Sequence, residues 1–444
     1  MINRKILFSL ALLLVIPAHA DQFHYNDILV GDRASGMGGA YTAISDDPTG
    51  MFYNPAGIVL APNRSTSSSS LAYQNKTKRY ESVIGVNDWL TTSSSFIPNF
   101  FGILQPIGDG YFGLSYVMNE SVDLSQAQTF TFPIPVNIDP NALPPLEKFS
   151  INYDEEDTIY KVGPSYARPL SDNLSIGVTL YLHARNRNVS FNQVAELYNS
   201  AQPADEPYPD LGYYDWTNQQ ISQSELGFNP IIGLMWSPSE HSSLGLTLQK
   251  TIIFSAETIT ECTKQTPDGI ADLICGEVVN PGTDPANPLD PDNPPTGNDY
   301  AHFVKTSNGY ADPPWQLGMG WASFPNNKQV FSADVNLYFG GSNFPTWNAA
   351  MGYEHYLSSR WNTRLGLFTN NSNQGVPTGV NGYEKIDELG LSLSLGRFTR
   401  TSSVSLGVSY LAGRGTRGGI SSVSPITTVT SDSLTLYLTA YYTS

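Results

Sequence analysis

Beyond its first twenty residues this 444-residue chain contains no long apolar run. A spanning helix needs about 20 consecutive apolar residues, so a helical membrane protein is excluded. Charge is sparse as well: Asp, Glu, Lys and Arg make up 14% of the chain, against about 25% in an ordinary soluble domain. Positive charge is the scarcer sign, with 23 Lys and Arg facing 40 Asp and Glu for a net charge of −17. Such a balance gives a phosphate backbone no basic footprint, and nucleic acid is not an expected partner. Only two cysteines occur, Cys262 and Cys275, and there is no CxxC. His24, His183, His241, His302 and His355 are scattered, and no GxSxG elbow is present. These gaps argue against a metal centre, a cofactor site or a hydrolytic triad. No catalytic residue is assigned, and the chain reads as a non-enzyme.

What is present begins with an export signal. Arg4 and Lys5 precede an apolar stretch from Ile6 to Pro17, and Ala18-His19-Ala20 forms an A-x-A cleavage site. Residues 1–20 read as a signal peptide. In an oxidising compartment Cys262 and Cys275 are expected to form a disulfide closing a short loop. The acidic excess gathers in two places. Residues 261–299 hold eight acidic residues and one Lys, and residues 205–215 hold four acidic residues and no basic one. Solvated surface loops explain both.

From about residue 65 the pattern has period two. Leu174, Ile176, Val178, Leu180 and Leu182 alternate with Ser175, Gly177, Thr179, Tyr181 and His183. Phe331 to Phe339, Leu389 to Leu395, Val404 to Val408 and Leu434 to Leu438 repeat the alternation. Side chains alternate across a strand, so each segment has one oily and one polar or small face. The segments run to about ten residues, which is what a tilted strand needs to cross a bilayer. Aromatics cluster near segment ends, among them Trp236, Trp315, Trp321, Trp347, Trp361 and Tyr442. Short connections such as 237–240, 325–328 and 357–359 alternate with long ones, notably 122–149, 189–223 and 254–314. Together these predict an all-β protein: a transmembrane antiparallel β-barrel of about 14 strands over residues 65–444, with short turns on one side and long loops on the other.

Residues 21–64 differ. Asp32-Arg33-Ala34-Ser35-Gly36-Met37-Gly38-Gly39-Ala40-Tyr41 leads through Asp46-Asp47-Pro48 to Tyr53-Asn54-Pro55-Ala56-Gly57. No Lys-Ser/Thr follows the glycines, so this is not a phosphate loop. Small residues suit a compact plug packed inside a narrow lumen. The block GxRAxGMGGAYTAxxDDPxxxxYNPAG resembles the N-terminal signature of the FadL/TodX family of outer-membrane transporters of hydrophobic compounds. Pro314 to Gly320, Phe331 to Val335 and Trp361 to Phe368 resemble its barrel strands. The resemblance implies an N-terminal hatch inside the lumen, with Asn54, Pro55, Ala56 and Gly57 in its motif. It further implies a monomeric barrel in the bacterial outer membrane, passive uptake of a hydrophobic ligand (a fatty acid or a hydrocarbon), and lateral release into outer-membrane lipid. The chain ends Tyr441-Tyr442-Thr443-Ser444, without the terminal aromatic that the barrel-assembly machinery usually reads.

Four residues are candidates for ligand contact. A fatty-acid carboxylate requires a cation, and Arg185 and Arg364 lie on polar strand faces; pairing with lumen carboxylates is the alternative for each. Phe130 and Phe132 stand in the most apolar stretch of a long connection and would line an outer capture groove, with packing against the barrel as the alternative. A different class also stays open: a barrel serving as adhesin, receptor or scaffold through its acidic loops.

Overall fold

The computed structural model describes residues 24–83, 88–132, 146–197, 214–266, 299–378, 384–421 and 424–444. The signal peptide, Cys275 and the proline- and aspartate-rich residues 280–298 lie outside them. Two short helices come first, α1 (Asp32–Gly36) and α2 (Gly50–Tyr53), then a 3₁₀ turn (Pro55–Leu60). The strands that follow are β1 (Thr66–Tyr80), β2 (Trp89–Ile107), β3 (Gly110–Thr131), β4 (Leu146–Ser171), β5 (Leu174–Leu197), β6 (Tyr214–Ser239), β7 (Ser242–Lys250) and β8 (Ile252–Thr266). They continue as β9 (Asp299–Ser307), β10 (Trp315–Asn326), β11 (Gln329–Phe339), β12 (Thr346–Tyr356), β13 (Trp361–Asn370), β14 (Glu384–Phe398), β15 (Ser402–Ser421) and β16 (Ser424–Thr443).

Fourteen of these strands close an antiparallel barrel. β1 meets β16 from Thr66↔Thr443 to Tyr80↔Val429, and β10 pairs directly with β7. β8 and β9 stand outside that ring. β8 continues β7 beyond Thr251 along the outer half of β6, and β9 pairs with β8. Closure removes the two free edges that an open sheet would present to lipid.

The period-two pattern resolves into two chemically distinct faces. Leu389, Leu391, Leu393 and Leu395 point outward and are 46–56% exposed, as are Leu434, Leu436 and Leu438 at 45–50%. Their neighbours Ser392, Ser394, Ser433 and Thr435 are buried in the lumen. An oily surface on a closed barrel with a polar interior is a lipid-facing belt. Trp236, Trp321, Trp361 and Tyr442 mark its short-turn end, and Trp315, Phe339 and Trp347 its long-loop end; all are exposed. Tyr111 instead turns inward, where its hydroxyl donates to the Ala61 carbonyl at 3.0 Å.

The three long connections are shorter than the sequence indicated. β3 runs to Thr131, β4 starts at Leu146, β5 runs to Leu197 and β6 starts at Tyr214. β8 and β9 occupy much of 254–314. The reason is that the faces change chemistry above the belt. There Asn152, Asp154, Glu156 and Asn188 point outward and are exposed, while Trp89, Phe130, Phe149, Tyr153 and Phe191 form a buried cluster inside. Polar-out and aromatic-in reads as loop when oily-out is the rule being applied. The result is a one-sided collar: β4 and β6 have 26 residues each, whereas β11, β12 and β13 have 11, 11 and 10.

Residues 24–61 fill the lumen and are almost wholly buried. Backbone meets backbone there because the wall offers glycines. A Cβ on Gly366 would lie 2.1 Å from Gly38 N, and one on Gly177 would lie 2.3 Å from Pro55 C. Charges fix the position. Arg364 donates to Asp32 at 2.9 Å and to Glu354 at 2.8 Å, and Arg33 reaches Glu354 and Asp46, each at 2.7 Å. Asp334 accepts from the N–H groups of Tyr41 and Thr42 at 2.8 and 2.7 Å.

Gly366→Val places carbon where the N-terminal segment now sits, an overpacking cost of about 1–3 kcal/mol. The expected outcome is a barrel that still resists unfolding in detergent but whose residues 24–61 become cleavable by protease. Unchanged protection of that segment would refute the close-seating account.

Candidate functional site

Filling the lumen leaves, among others, three spaces whose linings share residues. The largest, about 780 Å³, is a mouth above the N-terminal segment. His24, Tyr25 and Asp27 make its floor, while Glu120, Lys161, His183, Arg185 and Glu225 project from β3 to β6. Its outer rim carries Phe344 and Val376, which are 62% and 69% exposed. Burial raises the Tyr25 phenol above its ordinary range, so this floor residue presents a neutral hydroxyl. Tyr25 also stacks on Tyr338 with ring centroids 4.2 Å apart.

A second space of about 160 Å³ runs deeper, between Leu29, Phe52 and Tyr53 and the wall at Tyr338 and Ala350. It shares Tyr25, Asn119 and Lys161 with the mouth. A third, about 50 Å³, is lined by Ile28, Trp89, Val122, Leu124 and Tyr153 and shares Asp27 and Glu120 with the mouth.

That third space sits against a break in the wall. β2 and β3 pair at Ser93↔Leu124 and again from Phe100↔Val117 to Ile107↔Gly110, with no ladder partners between. A bulge at Asn119 shifts the register of β3 on β4 at the same height. The Ser93 hydroxyl bridges the margin by donating to the Asp123 carbonyl at 2.7 Å. Side-chain oxygens of Ser95, Asn99, Asn119 and Glu120 are buried around the break without a hydrogen-bond partner. Polar atoms left so are a local cost of about 1–3 kcal/mol each, which an apolar wall would not carry. Phe96 beside them is 69% exposed on the outer face.

Each candidate residue has a definite place. Arg185 reaches the mouth, but its Nε donates to Asp157 Oδ1 at 3.0 Å. Arg364 lies beneath α1, committed to Asp32 and Glu354, and anchors the N-terminal segment. Phe130 is 2% exposed inside the collar cluster, with Phe132 partly buried against it, as in the packing alternative. Cys262 is buried on β8, and its expected partner Cys275 lies outside the described residues. Asn54 is fully buried. Its Oδ1 accepts from Ala56 N at 3.1 Å, capping the 3₁₀ turn that Pro55 opens, while its Nδ2 donates to the carbonyls of Thr42 and Leu234 at 2.8 and 3.1 Å. Gly57 allows the turn to close, since a Cβ there would lie 2.4 Å from Ser45 Cβ.

No local pattern singles out Lys161. It lies 5.6 Å over the Phe52 ring and has no ion pair among the described residues. An inward cation near Glu120 but outside ion-pair distance of any carboxylate among the described residues, lining two cavities, is the feature that pattern reading missed.

No protein-family model matches the sequence, and no curated protein does. Solved structures do. A FadL homologue from Pseudomonas aeruginosa superposes with a TM-score of 0.61 at 16% identity, over 95% of this chain and 99% of that one. The Pseudomonas putida toluene transporter TodX gives 0.63 at 11% identity, over 93% and 98%. The Ralstonia pickettii toluene transporter TbuX gives 0.58 at 14% identity, over 93% and 98%. The chain has the FadL/TodX fold. At these identities the likeness concerns architecture, and the chemistry of this FadL/TodX-type barrel has to come from its own residues.

Asn54→Ala strands two buried carbonyls and uncaps the turn. The expected outcome is hydrogen exchange at least about tenfold faster across residues 42–60, in line with a loss of about 1–3 kcal/mol for an unsatisfied buried group. The thermal transition of the barrel should stay in place. Exchange equal to wild type would remove Asn54 from its assigned role.

Proposed function

We propose that this protein is a channel that admits hydrophobic small molecules across the bacterial outer membrane by passive diffusion, with long-chain fatty acids as the cargo. Lipopolysaccharide resists oily solutes, and a water-filled pore offers them nothing. A plugged barrel with small, partly apolar spaces lets an acyl chain exchange water for protein at roughly 25 cal/mol per Å² buried. The observation that carries the reading is that the three spaces share lining residues, from a rim bearing Phe344 and Val376 to a break in the wall.

In this reading Phe344 and Val376 collect the ligand from the surface. The mouth receives it, and Lys161 meets the carboxylate as the tail enters the space beside Phe52. Residues 24–61 act as the hatch that denies ions and water a straight path. The ligand leaves sideways between β2 and β3 into outer-membrane lipid, and no energy input is required. The barrel acts as a monomer, placed by the barrel-assembly machinery. Lys161 favours an acid over a neutral hydrocarbon, since a hydrogen bond to a charged partner contributes about 1.5–3 kcal/mol.

Binding of a fluorescent long-chain fatty acid to purified protein, with toluene as the neutral comparison, tests the cargo. Lys161→Met should weaken the acid by roughly 10- to 100-fold, the same 1.5–3 kcal/mol, and leave the hydrocarbon unchanged. Equal loss for both, or none for the acid, would remove the carboxylate reading. Ser95→Trp fills the break between β2 and β3. It should abolish fatty-acid entry into liposomes holding the protein while ligand still binds the mouth. Undiminished entry would place the exit elsewhere.

A further inference from the structure

In an outer-membrane barrel the short turns lie at the periplasmic end, and here they fall into two electrostatic halves. The turns after β2, β4 and β6 each carry an exposed carboxylate: Asp109, Asp172 and Glu240. The turns after β10, β12 and β14 carry no acidic side chain. They hold Lys328, Arg360 and Arg400, with Arg397 three residues before the last, and all four are exposed. In a chain of net charge −17, a basic rim free of acids runs against the composition.

Backbone hydrogen bonds join these turns into one continuous edge. Tyr356 N donates to the Lys328 carbonyl at 2.9 Å, Phe398 N to the Arg360 carbonyl at 3.0 Å, and Thr443 N to the Thr401 carbonyl at 2.8 Å. The four cations therefore stand on adjacent hairpins, and none of them has an ion pair among the described residues. Glu354, on β12 just inside the second turn, is buried in the lumen and committed to Arg33 and Arg364.

Two observations set this rim against lipid. Arg397 continues the outward row of Leu389, Leu391, Leu393 and Leu395 on β14, so it leaves the sheet on the lipid side where the belt ends. Its guanidinium lies 5.7 Å from the ring of Trp361, its register partner on β13. Beside them Leu357, on the turn that carries Arg360, is 57% exposed. A cation over the face of an interfacial tryptophan, at the end of a row of leucines, sits at the depth of phospholipid phosphates.

We propose that this rim binds anionic phospholipid of the inner leaflet, of the phosphatidylglycerol class, through Arg360, Arg397 and Arg400, with Lys328 as an outlying charge. A guanidinium fork matches a phosphodiester through paired N–H groups. Phosphatidylglycerol leaves that phosphate charge uncompensated, whereas the ammonium of phosphatidylethanolamine neutralises its own. Trp361 and the leucine row meet the start of the acyl chains. The opposite half, with Asp109, Asp172 and Glu240, repels the same headgroup, so binding is confined to one side of the barrel.

Native mass spectrometry of the detergent-purified protein, titrated with phosphatidylglycerol or phosphatidylethanolamine, tests this without reference to cargo. A basic residue beside an anionic lipid contributes about a fivefold change in binding. Wild type should therefore hold phosphatidylglycerol at least about fivefold more tightly than phosphatidylethanolamine. Arg397→Gln combined with Arg400→Gln should weaken phosphatidylglycerol roughly 25-fold and leave phosphatidylethanolamine unchanged. Arg168→Gln, close to the turn that carries Asp172, should bind both lipids as wild type does. Folding of each variant is checked by compact migration of the unheated protein on a denaturing gel. Equal affinity of the wild type for the two lipids overturns the proposal, and is what a rim built for an acidic polypeptide would give. Wild-type phosphatidylglycerol binding by the folded double variant overturns it as well.

Discussion

Hydrocarbon offers the peptide group nothing to bond to, and that single restriction organises this molecule. Every strand in the belt must find two neighbours, so the sheet closes on itself. At about eight strands side chains alone would fill the interior, but fourteen leave a lumen too wide for that. A stretch of backbone has to enter, and backbone brings its own unsatisfied donors and acceptors. The wall answers with glycines where the chain passes closest and with Asp334, Leu234 and Ser332 as hydrogen-bond partners. The cavities are what this fitting leaves over, which is why they lie along the N-terminal segment.

Inside such a lumen a lone charge is costly, so cations and carboxylates come in sets. Arg33 and Arg364 share Glu354, and Arg187 meets Glu155 at 2.8 Å. These sets position the N-terminal segment and stiffen the collar. They also make the departures from pairing informative. Lys161 at the mouth is such a departure: it lies over the Phe52 ring, outside ion-pair distance of any carboxylate among the described residues.

The sequence showed the belt well because lipid imposes a strict rule: Leu389 to Leu395 can alternate only one way round. The N-terminal block was equally visible, since Asn54-Pro55 and the glycines are short-range features that cap and turn locally. The collar escaped because its rule is inverted. Phe130 and Phe149 face in, and Asp154 and Glu156 face out, so apolar residues signalled exposure when they meant burial. Pairing escaped for another reason. Whether Arg364 is committed depends on Asp32, 332 residues earlier, and no local pattern reports such a partner. The break between β2 and β3 is a missing set of contacts between residues whose own alternation looks ordinary.

The uneven height of the wall gives the barrel a front and a back. On the β4 to β6 side the sheet rises far past the belt; on the β11 to β13 side it stops where the bilayer does, within the nine to eleven residues or so that a crossing requires. Phe344 and Val376 sit on that low sill. If the mouth admits an oily ligand as proposed, one already dissolved in the outer leaflet would meet it across that low side, while one arriving from open water on the far side would meet a palisade of carboxylates.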